Sequence, residues 1–371
     1  MPHEEIAVSP PRAWVEINLL NLLKNLEFAK KVSGCGIMAV VKAGAYGHGL
    51  EEISKVLESG GVEFFGVANI GEARRLREAG VAAPIYLLGA SWDAEREEIV
   101  ARNVTPCISS IEEARDFHRI AMQRGVCLAV HLAVDTGMGR GGFLPDDLVA
   151  VAAQLQEFGG LKVEGIASHL SSSDEDVEFT NYQIGMFEAA VKRLGGAECF
   201  LWRHLSNSGG ILGFPGGVCN LARPGLLLYG VSPIPEYQEK LCCVMQLKSR
   251  VTLVRVLPKG ASVSYGRSFI TVKPTRVATV GIGYGDGYPR HVSGKGAEVF
   301  VRGMRCPVIG RVTMDQLMIQ LPDESDVATG DEVELFGEHI PVSEVAQYAD
   351  TISGEVFTGI TPRVQRVYLR P

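Results

Sequence analysis

One lysine stands where a buried strand gives way to a glycine-rich turn. Lys42 follows the apolar run 37–41 and opens the segment AGAYGHG at 43–49. Burial favours the neutral form of an amine, and a neutral lysine amine can form a Schiff base with an aldehyde. The alternative from this segment alone is a strand-ending lysine whose long stem reaches water. The role of Lys42 therefore depends on the groups that the fold brings near it.

Further polar residues follow later apolar runs. Arg140 closes the segment DTGMGR at 135–140, and His169 ends the run that starts at Val163. Two segments, NSGG at 207–210 and RPG at 223–225, combine a hydroxyl and backbone N–H groups with glycine. Such segments suit a phosphate, because glycine lets the backbone approach the anion closely.

The chain up to about residue 230 alternates apolar runs with helical patterns that begin near residues 72, 111 and 145. Eight runs separated by such patterns predict a (β/α)8 TIM-like barrel. A doubly wound sheet is the structural alternative, but no G-x-G-x-x-G follows an early run. The runs span residues 37–42, 64–68, 84–89, 105–109, 128–135, 163–170, 201–207 and 221–230.

In such a barrel the polar groups converge. The C-terminal ends of the strands meet at one rim, and phosphate often binds after the last two strands. Lys42 would then share a site with His169 and the two glycine-containing segments. Pyridoxal 5'-phosphate fits this layout, with its aldehyde at the lysine, its phosphate at the glycines and its ring at His169.

After about residue 245 the pattern changes to short β-branched runs. Residues 251–257 and 277–280 alternate with period two, and Gly and Pro mark the turns between runs. This pattern predicts a mainly antiparallel β-domain. We place the barrel at residues 1–240 and the β-domain at 241–371, and the alternating segment 13–17 is a candidate to pair with the β-domain.

Composition excludes several classes of protein. With 371 residues, 46% hydrophobic and 21% charged, the chain is an ordinary globular protein of two domains. A net charge of -7 with scattered basic residues argues against nucleic-acid binding. No 18-residue apolar run predicts a membrane helix, and residues 1–5 do not begin a signal peptide. Eight dispersed cysteines without a C-x-x-C pair predict reduced thiols, no metal site and a cytoplasmic location.

The chain resembles alanine racemases along nearly its whole length. Any one of the matching motifs could arise by chance, but their joint order and spacing are specific. They are AVVKA at 39–43 with AYGHG at 45–49, VDTGMGR at 134–140, HLSNS at 204–208, RPG at 223–225, VSYGR at 263–267, GIGY at 281–284 with DGYPR at 286–290, and GRV at 310–312 with MDQ at 314–316.

The resemblance implies an enzyme that racemises alanine, a small amino acid, and supplies D-alanine for peptidoglycan. Lys42 would hold pyridoxal phosphate and act as one of two bases. Tyr265 would be the opposing base, contributed by the β-domain of the partner subunit, so that a homodimer shares its sites. The resemblance assigns the cofactor to Tyr46, His169, Asn207, Ser208, Arg223, Gly225 and Leu226, and the substrate carboxylate to Arg140 and the backbone of Met314.

Three positions depart from the family pattern. Ala133 replaces a lysine that is often carbamylated and orients the arginine at position 140, so an anion or a nearby carboxylate is expected to take its place. Gly44 replaces Asp or Asn, which we expect the loop to tolerate. Gly354 replaces a tyrosine that crowds the substrate, and its absence predicts a wider pocket.

Two alternatives to an alanine racemase follow from these departures. The first is a serine or broad-specificity racemase, through the pocket opened at Gly354. The second is a non-catalytic pyridoxal-phosphate-binding protein that keeps Lys42 without a productive second base. The presence of Tyr265 and of a complete β-domain favours catalysis.

Overall fold

The computed structural model of the chain describes residues 10–370. These residues form two compact units, one of residues 21–242 and the other of residues 10–20 together with 243–370. The chain begins with the strand β1 (Ala13–Asn18) and the helix α1 (Leu19–Ser33). No helix in the described part of the chain is long and apolar enough to cross a membrane.

The first unit is a barrel of eight parallel strands. Two four-stranded sheets have the orders β4-β3-β2-β9 and β5-β6-β7-β8. They join where Thr105 N donates to Ile85 O at 2.8 Å and where Asn220 N donates to Arg203 O at 3.0 Å. The strands are β2 (Gly36–Val40), β3 (Phe64–Val67), β4 (Ile85–Leu87), β5 (Cys107–Ile108), β6 (Leu128–Ala133), β7 (Leu161–Ala167), β8 (Trp202–His204) and β9 (Leu221–Ala222).

Each of the eight apolar runs overlaps one of these strands, so the barrel prediction is confirmed. Three of the longer helices between them begin at capping side chains, Asn69, Ser110 and Asp176, each of which accepts a backbone N–H three residues on. The helical segments are α2 (Lys42–Tyr46), α3 (Leu50–Ser59), α4 (Ile70–Glu78), α5 (Arg96–Ala101), α6 (Ile111–Arg124), α7 (Leu148–Gln156), α8 (Val177–Arg193) and α9 (Ser208–Gly213).

The barrel interior is apolar but encloses two histidines. Met38, Phe64 and Tyr86 belong to a buried cluster inside the barrel. The Tyr86 ring lies against the rings of His131 and His204, with centroids 5.0 and 5.1 Å away. Both histidines are fully buried. The interior therefore positions imidazoles below the rim where the candidate site lies.

The second unit is a mainly antiparallel eight-stranded sheet, as predicted. Its order is β13-β16-β15-β14-β17-β10-β1-β18, and β13 also pairs with β10. Its further elements are the strands β10 (Met245–Leu257), β11 (Ser262–Val263), β12 (Phe269–Ile270), β13 (Thr275–Val280), β14 (Glu298–Val301), β15 (Met304–Ile309), β16 (Leu317–Gln320), β17 (Glu332–Phe336) and β18 (Gln365–Leu369), and the helices α10 (Val342–Tyr348) and α11 (Ser353–Gly359).

The strand β1 belongs to the β-unit, although the barrel follows it in the chain. β1 pairs with β10 in antiparallel register and with β18 in parallel register. These backbone hydrogen bonds attach residues 10–20 to the β-unit, so the barrel unit begins at residue 21 rather than at residue 1. The other boundary lies between residues 242 and 243.

We predict that Gly165→Ala destabilises the barrel by about 1–3 kcal/mol, because it overpacks the interior. Gly165 lies opposite His131 in the β6–β7 pair, and a Cβ there would come within 2.6 Å of the His131 ring. The measurement is the free energy of unfolding in urea. Gly185→Ala on α8 is the control, since no atom lies within 4 Å of its added methyl. Equal stability of the two variants would contradict the prediction.

Candidate active site

A cavity of about 490 Å³ opens at the C-terminal ends of the barrel strands. It has charged residues on several walls and apolar side chains from the barrel interior below them. Nine of the residues proposed from the sequence line it: Lys42, Tyr46, Arg140, His169, Asn207, Ser208, Arg223, Gly225 and Leu226. The structure thus brings together groups that lie up to 184 positions apart in the chain.

Lys42 begins a left-handed turn. Ala43, Gly44 and Ala45 have φ of 53°, 65° and 56°, and Tyr46 follows with φ 51°. A left-handed conformation costs a residue other than glycine about 1–2 kcal/mol, so this turn is strained. Gly44 relieves part of that strain, and an added Cβ there would meet no atom within 4 Å. The replacement of Asp or Asn at this position therefore fits the backbone.

The turn presents Tyr46 to the cavity. The Tyr46 ring packs on Tyr229 with centroids 4.9 Å apart, and His48 packs on the same ring at 4.5 Å. Tyr229 donates from its hydroxyl to Val40 O at 2.9 Å. This packing fixes the phenol of Tyr46 beside the end of β2.

The charge of Lys42 is set by its surroundings. Burial lowers the pKa of its amine, and Arg140 and Arg223 lower that pKa further, while Glu72 opposes them. Each unit of lowered pKa increases the neutral fraction of the amine about tenfold at a pH well below its pKa. The environment therefore favours the neutral, nucleophilic amine that Schiff-base formation requires.

Arg223 is a buried cation at the centre of the site. Its Nη1 donates to His204 Nδ1 at 2.6 Å, and its Nη2 donates to His169 Nδ1 at 2.9 Å. Nη2 also reaches the carbonyl oxygens of Ser168 and Leu205, at 2.6 and 3.0 Å. These neutral acceptors satisfy the guanidinium, which stays charged because its proton cannot be removed in a protein.

Arg223 also fixes the histidine tautomers. An arginine only donates, so the Nδ1 atoms of His169 and His204 must be unprotonated acceptors. His204 Nε2 lies 2.8 Å from His131 Nδ1 and donates to it. Burial and then Arg223 lower the pKa of His169 to about 3, and the same two causes lower the pKa of His131 to about 3. All three rings are therefore neutral at physiological pH.

The wall formed by α9 and residue 225 suits a phosphate. Asn207 caps α9 by accepting from Gly210 N at 3.0 Å. The Ser208 hydroxyl accepts from Gly225 N at 3.1 Å. A Cβ at Gly225 would come within 2.7 Å of the Tyr46 hydroxyl, so glycine is required for this close approach. Hydroxyl and amide groups are thus concentrated on one side of the cavity, as the sequence predicted.

Arg140 lies on another wall and is exposed. It follows a turn in which Asp135 accepts from the N–H groups of Gly137 and Gly139, at 2.9 and 3.1 Å. Ala133 is buried nearby in the strand β6. Within residues 10–370 no carboxylate forms an ion pair with Arg140, and an anion or a carboxylate in place of the missing carbamate stays a prediction.

Two predicted residues belong to the β-unit, not to this cavity. Tyr265 is 69% exposed and Met314 is 52% exposed. Ser264, just before the tyrosine, has φ 64° and donates from its hydroxyl to Arg311 O at 2.5 Å. The Arg311 guanidinium lies against Gly266, where an added Cβ would come within 3.1 Å of it. A cation therefore lies beside the backbone of the residue that follows Tyr265, within the same unit.

The residues of the barrel cavity fit pyridoxal phosphate. A lysine amine with a lowered pKa, a wall of glycine and hydroxyl groups, and a buried cation beside a neutral imidazole match its aldehyde, phosphate and ring. His131 and His204 have no role in the sequence-based expectations, although His204 begins the motif HLSNS. The position of His204 at a strand end, three residues before Asn207, could have indicated that it lies near the site.

Fold and site define a pyridoxal-phosphate-dependent amino-acid racemase with a barrel and a β-domain. The family descriptions "Alanine racemase, N-terminal domain" and "Alanine racemase, C-terminal domain" match residues 17–233 and 244–368. The alanine racemase of Geobacter sp. (strain M21) is 39% identical over 96% of this chain and 98% of its own. The chain therefore belongs to the alanine racemase family.

Solved structures support this conclusion. The alanine racemase from D-cycloserine-producing Streptomyces lavendulae has a TM-score of 0.91 and 32% identity, covering 98% of both chains. The enzyme from Bartonella henselae, described with covalently bound pyridoxal phosphate, has a TM-score of 0.89 and 30% identity, covering 97% of this chain and all of that one. Pyridoxal phosphate is thus the cofactor of the family to which the chain belongs.

We predict that Gly225→Ala weakens cofactor binding by about tenfold or more, because its methyl overpacks the Tyr46 hydroxyl. The measurement is the equilibrium dissociation constant of pyridoxal phosphate. Gly159→Ala is the control, because its added Cβ meets no atom within 4 Å. An affinity equal to that of the control would show that this approach does not shape the phosphate wall.

Replacing Arg223 should change the titration of His169. In Arg223→Met the positive charge is lost, so the pKa of His169 should rise from about 3 toward its ordinary value. Arg223→Lys keeps the charge and should leave that pKa low. Histidine ring resonances followed by NMR across pH provide the measurement. Identical titrations of the two variants would show that burial alone accounts for the shift.

Proposed function

We propose that this protein interconverts L- and D-alanine as a cytoplasmic homodimer and thereby supplies D-alanine for peptidoglycan. The observation that carries the proposal is the position of Lys42, whose amine lines the cavity beside Arg223, Ser208 and Tyr46. When bound, pyridoxal phosphate supplies an electron-withdrawing ring that loosens the Cα proton of the amino acid.

Racemisation requires proton removal from one face of the substrate and return to the other. A single base can serve only the face it contacts, so two bases on opposite faces are needed. Lys42 is the base on the barrel side, because its surroundings favour the neutral amine. Tyr265 of the partner subunit is the opposing base, and its exposure on the β-unit leaves it accessible to a second chain.

The remaining residues bind the substrate carboxylate and hold the cofactor. Arg140 is a cation at the cavity wall that binds the substrate carboxylate together with the Met314 backbone. Tyr46, Ser208, Gly225 and Leu226 would hold the phosphate of the cofactor. Arg223 cannot give a proton to the ring nitrogen, since arginine stays protonated and already donates to His169. Arg223 would therefore leave the ring nitrogen of the cofactor unprotonated and so moderate the electron-withdrawing effect of the ring.

If the two subunits share their sites, two inactive variants should complement each other when mixed. Lys42→Ala and Tyr265→Phe each remove one base and should reduce racemisation by at least about 100-fold, as loss of a general base does. If each site combines Lys42 with Tyr265 of the partner subunit, a hybrid of the two variants contains one intact site and regains activity. Mixing the variants through partial unfolding and refolding, followed by activity assay, provides the measurement.

The control mixes Lys42→Ala with a Lys42→Ala/Tyr265→Phe double variant, in which no hybrid has an intact site. Activity that returns only in the first mixture supports shared sites. If neither mixture regains activity although hybrids form, each site lies within one chain and the shared-site proposal is wrong.

Gly354 favours a second candidate function, a serine or broad-specificity racemase. It is the second residue of α11, two positions after Ile352, which is 70% exposed. We predict that Gly354→Tyr lowers the ratio of serine to alanine racemisation, because it restores the ring that crowds the substrate in the family pattern. The measurement is chiral analysis of L-alanine and L-serine incubated with each cofactor-loaded enzyme. An unchanged ratio rules out this route to specificity, and no D-product from either substrate would favour a non-catalytic cofactor-binding protein.

A further inference from the structure

We propose that Glu72 is a positioning residue for Lys42, whose carboxylate clamps the left-handed turn that follows the lysine to the start of α4. The inference rests on the proposed role of Lys42 and deepens it. It concerns a helix residue that does not line the cavity.

The clamp consists of two hydrogen bonds from backbone groups. Glu72 Oε1 accepts from Gly44 N at 3.1 Å, in the middle of the turn. Oε2 accepts from Ala68 N at 2.9 Å, in the loop that leads into α4. Glu72 is itself held, because its own N–H donates to the side chain of Asn69 at 3.0 Å. One carboxylate thus joins the segment after β2 to the segment after β3.

The turn needs such a partner because its conformation is unfavourable. Its inner hydrogen bonds run from Ala45 N to Val41 O and from Gly47 N to Ala43 O, at 2.7 and 2.9 Å. Packing gives little support on the outer side, where Ala43 is exposed and Gly44 faces open space. A strained backbone persists only where its surroundings determine it, and Glu72 is the side chain that holds Gly44 from the neighbouring helix.

The charge of Glu72 acts on the same lysine. Burial, Arg140 and Arg223 all lower the pKa of Lys42, and Glu72 raises it. His169 also faces the lysine but is neutral, so it does not compensate for a lost carboxylate. Removal of Glu72 should therefore loosen the turn and lower the pKa of Lys42 further.

The barrel contains a matched control two strands later. Glu113 in α6 accepts from Ser109 N at 2.9 Å, in the loop before its own helix. It also accepts from Ser91 N at 3.0 Å, in the loop after β4. Its own N–H donates to Ser110 at 3.1 Å, as Glu72 does to Asn69. The two carboxylates accept the same kinds of backbone hydrogen bond, and Glu113 also accepts from the Ser91 hydroxyl at 2.9 Å, but only Glu72 holds the turn of Lys42.

The test compares Glu72→Ala with Glu113→Ala in the full-length protein. Two readouts are used besides activity: the dissociation constant of pyridoxal phosphate, and the pH dependence of Lys42 labelling by acetic anhydride in cofactor-free protein, located by peptide mass spectrometry. Both variants should lose thermal stability. Only Glu72→Ala should bind the cofactor about tenfold more weakly, as loss of a hydrogen bond to a charged group implies, and should be labelled at Lys42 at lower pH.

Glu72→Gln separates the clamp from the charge and serves if Glu72→Ala does not fold. Its amide oxygen can still accept from Gly44, so cofactor affinity should recover in part, while labelling at lower pH should persist. Wild-type affinity and labelling in both Glu72 variants would overturn the inference, as would an equal effect of Glu113→Ala. If the wild-type protein does not bind pyridoxal phosphate at Lys42, the proposed function fails, yet the labelling comparison still tests the effect of Glu72 on Lys42.

Discussion

The site depends on one buried charge, the guanidinium of Arg223. A charge withdrawn from water is costly unless hydrogen bonds replace its hydration. Within residues 10–370 no carboxylate pairs with Arg223; two carbonyl oxygens and the rings of His169 and His204 accept its N–H groups instead. These acceptors come from the ends of β7 and β8 and the residues after them, so satisfying the cation fixes that part of the rim.

The same cation determines the protonation of the site. It requires two histidines to accept at Nδ1, and it lowers the pKa of each buried imidazole after burial has already done so. It also contributes to the lowered pKa of Lys42. A single residue therefore favours a neutral, nucleophilic lysine and neutral rings, which is the protonation that amine chemistry with an aldehyde cofactor requires.

The backbone conformation of two loops shapes the cavity. The left-handed turn at residues 43–46 aims Lys42 and Tyr46 into one cavity, at the cost of strain that packing on Tyr229 and the contacts of Glu72 offset. Gly225 admits the Tyr46 hydroxyl to a distance that any larger residue would prevent. Two loops distant in sequence thus meet at the wall of the cavity.

The sequence by itself determined the eight barrel strands, the change to an antiparallel β-unit and nine of the residues that line the cavity. It could do so because apolar periodicity reports burial locally, and because polar residues at the ends of parallel strands must share one rim. It also singled out Lys42 as a candidate Schiff-base lysine, whereas Arg223 was assigned to the cofactor only by the resemblance to a family. Only the tertiary structure decided the hydrogen-bond partners of Arg223, the neutral state of His131 and His204, the left-handed turn and the contact from Glu72 to Gly44. Those features depend on distances between residues far apart in the chain, and neither a tautomer nor a strained dihedral angle leaves a periodic pattern in the sequence.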